Sequence, residues 1–149
     1  MAEKQRVFFV QFIDEEAGTT TTESMWCEKK DEYYVLENIP LIAKNISYGD
    51  TFAVAYDETD GKYYFDHLVE ESGNSTIRVI VFDTKIYQAV IDELHEKFSL
   101  ETEELRVKNL IAINIEREQK YGPIWAYLKS GENDGKWTFQ ESCLAHNRT

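Results

Sequence analysis

This chain is short of the residues that cross-link, kink or anchor a protein. It has two cysteines, two prolines, three histidines and seven glycines in 149 residues. Cys27 and Cys143 lie far apart, and without an export signal both are expected to be reduced, buried thiols. Cys143 and His146 form a CxxH, half of a zinc site that needs four ligands. No long apolar run is present, so neither a membrane span nor an export signal is expected, and the chain is placed in the cytoplasm. Positive charge is scarce: 16 Lys and Arg stand against 28 Asp and Glu, a net charge of −12. That balance argues against binding a nucleic-acid backbone, which calls for clustered cations. No G-x-S-x-G elbow exists, and Gly73 has no companion glycines to cradle a phosphate.

What is present is a well-patterned fold. Residues 72–98 hold its clearest statement: a turn (Ser72, Gly73, Asn74, Ser75), an apolar strand over 76–82, and an amphipathic helix over 84–98. The strand is apolar on both faces, which predicts a central strand covered on both sides. Asp83 is placed to cap the helix, whose apolar stripe is Ile86, Tyr87, Val90, Ile91, Leu94 and Phe98. Upstream, short strands are expected at 6–13, 23–30, 33–36, 51–56 and 62–69, with Asp60-Gly61 marking a hairpin. Downstream, 100–104 reads as an acidic linker, and 105–115 holds another strand with its apolar heart at 110–115. A helix opens at Pro123 and ends between Gly131 and Gly135, and a last strand follows at 136–140. The expected fold class is α+β in one domain, residues 1–149. An N-terminal curved antiparallel β-sheet or small barrel (6–71) is followed by a βαβαβ, ferredoxin-like half (76–140) and a fraying tail (141–149). The crossover from the strand at 76 to that at 105 is expected to be right-handed.

Candidate reactive groups are Glu23, Asp50, His67, Arg78, Glu141 and His146, but no nucleophile, base and orienter can be assembled from their spacing. The chain is therefore read as a non-enzyme without catalytic residues, cofactor or metal. His67 alternates with Phe65 and Val69, which favours a packed core histidine. Arg78 interrupts an apolar strand, where a charge is costly unless paired. A structural ion pair with Glu23 or Asp50 is one account of it. The other is an anion site built from Arg78 with Ser72, Asn74 and Ser75.

The motifs ESMW (23–26), ENIP (37–40), ISYGD (46–50), DG (60–61), SGNSTIRV (72–79) and GKWTFQESCLAH (135–146) together resemble a family of small bacterial domains of unknown function. The resemblance implies a bacterial, cytoplasmic, stand-alone domain and brings no substrate, cofactor or catalytic residue. Domains of this kind often serve as immunity proteins beside secreted toxins. Residues 1–75 carry 6 Lys and Arg against 16 Asp and Glu, and residues 76–149 carry 10 against 12. The expected function is thus an acidic binding protein that neutralises a basic toxin domain, with no nucleic-acid or membrane partner. Its expected contact set is Asp14, Glu15, Glu16, Asp57, Glu58 and Asp60, gathered at one rim of the curved sheet. The alternative is a regulatory or sensor domain for an anionic metabolite.

Overall fold

The structure, a computed structural model, describes residues 3–14 and 16–149, with Asp14 described by its backbone alone. Five strands, β1 (Glu3–Asp14), β2 (Thr19–Lys30), β3 (Tyr33–Leu36), β4 (Thr51–Asp57) and β5 (Lys62–Glu70), form a closed barrel in that order. Neighbours pair antiparallel, and the barrel closes by a parallel pairing of β1 with β5 at Val7–Tyr63 and Phe8–Tyr64. Val7, Phe9, Met25, Cys27, Leu36 and Phe52 point inward and are fully or almost fully buried. Phe9 packs edge-on to Phe52 at 5.4 Å and stacks on Phe65 at 5.3 Å, geometries that aromatic rings favour. Burial in this core pushes the Cys27 thiol up to about 12.

The second half runs β6 (Ser75–Val81), a 3₁₀ turn, α1 (Tyr87–Phe98), β7 (Glu101–Leu105), β8 (Leu110–Ile115), α2 (Gly122–Asn133) and β9 (Trp137–Cys143). The sheet order is β7-β8-β6-β9 and every pairing is antiparallel. This is the βαββαβ arrangement of ferredoxin-like domains. The expected linker at 100–104 is strand β7, and the expected apolar heart at 110–115 is β8; between them the chain turns at Asn109, which sits at φ 52°. Left-handed backbone at that residue turns the chain back on itself. The crossover from β6 therefore leads to β7, with β8 inserted antiparallel between them.

One face of this sheet carries Ile77, Val79, Val81, Ile111, Ile113 and Ile115, covered by α1 and α2. Each such buried aliphatic side chain contributes about 1.5–3 kcal/mol. Asp83 accepts the Lys85 N–H at 2.9 Å and so caps the 3₁₀ turn that leads into α1. Helix α2 ends at Asn133, between Gly131 and Gly135 as expected. Trp137 occupies the space a Cβ on Gly131 would take, 1.9 Å from the ring, and its Nε1 donates to Leu128 O at 2.8 Å.

The opposite face is covered only in part. The irregular connection 37–50 lies over Thr76 and Arg78, but Ile80 is 45% exposed and Phe82 60%. The expectation that β6 is covered on both sides thus holds for its first half alone. The tail does not fray either. β9 extends to Cys143, and beyond it Ala145 N donates to Ser75 Oγ at 2.8 Å.

Candidate functional site

Barrel and sheet meet along the 37–50 connection, whose backbone has few strand partners and must find others. Glu23 of β2 supplies one set: its carboxylate accepts Leu41 N (2.9 Å), Ile42 N (3.0 Å) and Ala43 N (2.9 Å). Arg78 of β6 supplies the other. Its Nη1 donates to Leu41 O (3.1 Å) and Ile42 O (2.8 Å), and its Nη2 donates to Gln140 Oε1 (2.5 Å). The expected ion pair is not made. The backbone at 41–43 stands between the two charges, offering its N–H groups to one and its carbonyls to the other. Partial burial lowers the Arg78 pKa, and the Glu23 charge opposes that; a guanidinium stays charged throughout.

A second polar layer lies beside this one. Asp50, almost fully buried, accepts Ser47 N (2.9 Å), Ser72 N (2.8 Å) and Ser72 Oγ (2.8 Å). Ser47 Oγ and Thr76 Oγ1 are 2.7 Å apart. Asn74 donates to Tyr48 O (2.7 Å) and accepts from Arg117 N (2.9 Å). Gly49, at φ 85°, lets this turn approach Ser72, since a Cβ there would lie 3.2 Å from Ser72 Cβ. Ser72 and Asn74 therefore spend their polar groups inside the seam, apart from the Arg78 guanidinium.

Ser75 faces the tail. Its Oγ takes the Ala145 N–H, so its own proton goes to His146 Nδ1 at 2.6 Å, and His146 Nε2 donates to Glu116 O at 2.8 Å. A serine on an oriented histidine has the outline of a nucleophilic pair. Ser75 is completely buried, however, so no substrate reaches it, and the pair acts as a latch for the tail. Nearby, Glu141 accepts from Tyr121 OH (2.8 Å) and Arg148 Nε (3.1 Å). The hydrogen bond from Arg148 holds its carboxyl below the usual range, and burial with Glu141's charge pushes the Tyr121 hydroxyl far up. His67 is exposed and bonded to Asp66. A bulge in β5 moves the pairing from Phe65–Val54 to His67–Ala53 and Leu68–Phe52, so Leu68, not His67, meets the buried Phe52.

The acidic residues expected at one rim occupy two. β1 and β5 run parallel, so the β1–β2 tip, which follows β1, and the β4–β5 tip, which precedes β5, leave opposite ends of the barrel. Asp57 and Asp60 serve their own turn: Asp57 accepts Thr59 N, and Asp60 accepts Lys62 N and Tyr64 OH. Glu58 has no partner among the described residues. At the other end stand Asp14 and Glu16; Glu15 lies outside the described residues.

That far end holds a feature absent from the sequence-based expectation. β1 and β2 pair with each other along their whole length, whereas β5 meets β1 only at Val7 and Phe8, and β3 meets β2 only from Cys27 onward. Among the described residues, 10–14 and 19–22 therefore form a two-stranded ribbon extending past the barrel core, touched by the connection where Gln11 Oε1 accepts Lys44 N (3.1 Å). Val10 is 45%, Phe12 63% and Ile13 67% exposed. The apolar run RVFFVQFI marked a strand, but nothing in it told covered residues from bare ones.

Residues 23–139 match the family described as Domain of unknown function (DUF4265). The chain belongs to the DUF4265 family. The match spans the seam, from Glu23 through Arg78 to Phe139, and leaves out the β1–β2 ribbon. Across almost the whole chain this DUF4265 protein shares its fold with a hypothetical protein from Neisseria gonorrhoeae, solved as a crystal structure. The TM-score is 0.79 at 24% identity, over 97% of this chain and 98% of the other. No curated protein matches the chain.

Proposed function

We propose that this DUF4265 protein is an acidic, cytoplasmic binding protein, without catalysis of its own, that occupies a basic protein partner in the way an immunity protein occupies a toxin. The observation that carries this is the β1–β2 ribbon. A two-stranded ribbon is marginal in water by itself, and bare apolar side chains with unpaired strand edges favour a covering partner. No lysine or arginine lies between Arg6 and Lys29, and the turn of the ribbon carries Asp14, Glu15 and Glu16. A basic surface with an apolar centre is complementary to that end, and opposite charge would speed its approach.

Co-expression with the product of the adjacent gene tests this. A stoichiometric complex and relief of growth inhibition are expected. The Phe12→Asp, Ile13→Asp variant should lose both while folding normally. A neighbour that is harmless and does not bind removes the support for neutralisation.

A further inference from the structure

The sheet face left bare beyond Arg78 forms a cleft of about 560 Å³, within the range of small-molecule sites. Its head is the Arg78 guanidinium, its walls are Ile42, Ile80, Leu105 and Leu110, and Lys108 stands at the rim. Arg78 uses at most three of its five N–H groups on Leu41 O, Ile42 O and Gln140. Lys108 has no hydrogen bond or ion pair among the described residues. No carboxylate lines the cleft, although the chain carries a net charge of −12. Glu23 lies behind the 41–43 backbone, and Glu103, on this same face across Ala112 from Arg78, lines the neighbouring crevice beyond Leu41 that it shares with Glu23. Glu104 is paired with Arg106 at 2.9 Å. Two cations and an apolar floor, with no acid among the lining residues, are the complement of a carboxylate with a hydrocarbon tail.

We infer that this cleft binds a small monocarboxylate, its head group on the free N–H groups of Arg78 and its apolar tail along Ile80 and Leu110 toward the rim, where Lys108 adds positive charge. Burial makes the charge-assisted contact stronger than it would be in water, and planar donors suit a carboxylate. The site uses neither the 72–75 turn nor the β1–β2 ribbon, so it stands apart from the partner surface proposed above.

Octanoate is the probe, titrated against the full chain by calorimetry and by backbone amide shifts. Acetate removes the tail, octan-1-ol removes the charge, and octylamine reverses it. Octanoate alone should bind, moving the amides of Ile80, Leu110 and Gln140 and raising the melting temperature. Lys108→Glu, at an exposed position, should weaken binding about fivefold, and Ile80→Glu, which puts a carboxylate on the floor, about tenfold or more. Neither change touches the grip of Arg78 on the connection, so both variants should stay folded. Failure of octanoate to move these amides up to its solubility limit overturns the inference. So does octan-1-ol binding as well as octanoate, because the cleft would then be merely apolar.

Discussion

Glu23 and Arg78 make no hydrogen bond with each other, yet both hold Leu41 and Ile42. The barrel's carboxylate takes the N–H groups of residues 41–43 and the sheet's guanidinium takes the carbonyls of residues 41 and 42. Two halves with separate apolar cores are thus joined through a strip of backbone. Removing either group leaves several buried polar atoms unpaired, at about 1–3 kcal/mol each way. Glu23→Gln and Arg78→Met should each lower unfolding free energy by about 2 kcal/mol in urea titrations. The double variant should lose less than the sum, because each single change already loosens the shared segment. Strict additivity would show that the two grips are independent.

The acidic tips should separate by function. Reversing Asp14 and Glu16 to lysine should slow association with a basic partner and flatten its salt dependence, since exposed charges act mainly on encounter. Reversing Asp57 and Glu58, at the opposite end, should leave the association rate close to that of the parent. Stopped-flow mixing at two ionic strengths reads both, and equal losses from the two pairs would argue against a localised contact.

Acid should release the tail. The folded-state pKa of Glu141 lies below its usual 4.5, chiefly through the hydrogen bond from Arg148. A depressed carboxylate stabilises the fold above the unfolded pKa and loses that contribution as pH falls through the folded one. The stability gap between parent and Glu141→Gln should therefore be open at pH 6 to 7 and close as pH drops below about 4. Thermal melts across this range check it; a gap independent of pH would mean that Glu141 acts through shape rather than charge.

Gly131→Ala should cost about 3 kcal/mol or more, because its Cβ would enter the Trp137 ring and force a packed helix off the sheet. Tryptophan fluorescence should shift along with the loss of stability. An unchanged melting temperature would show that α2 can move aside.

Much of this fold is written locally. The 72–98 stretch announces a turn, strand, cap and helix because its alternation, Asp83 and the helical stripe all lie within reach of one another. What escaped the sequence depends on distant pairing. The acidic ETEEL at 101–105 is an edge strand bonded only to β8, so it lacks the apolar run that marks an inner strand. The β5 bulge that turns His67 outward leaves no mark in alternation. Arg78 stood out as a charge in an apolar strand, but its partners are the carbonyls of an irregular connection, and backbone atoms carry no sequence signature. The bare ribbon is of the same kind: exposure at Phe12 and Ile13 follows from β5 pairing with β1 at two residues only, a fact about β5 rather than β1.

The most direct test of the partner-binding account is hydrogen–deuterium exchange on the chain with and without the product of the adjacent gene. The account predicts slowed exchange in residues 10–14 and 19–22, where strand edges would be covered, with α1 and α2 unchanged. Protection confined to α1 and α2, or none anywhere under conditions where the two proteins are mixed at high concentration, would contradict it.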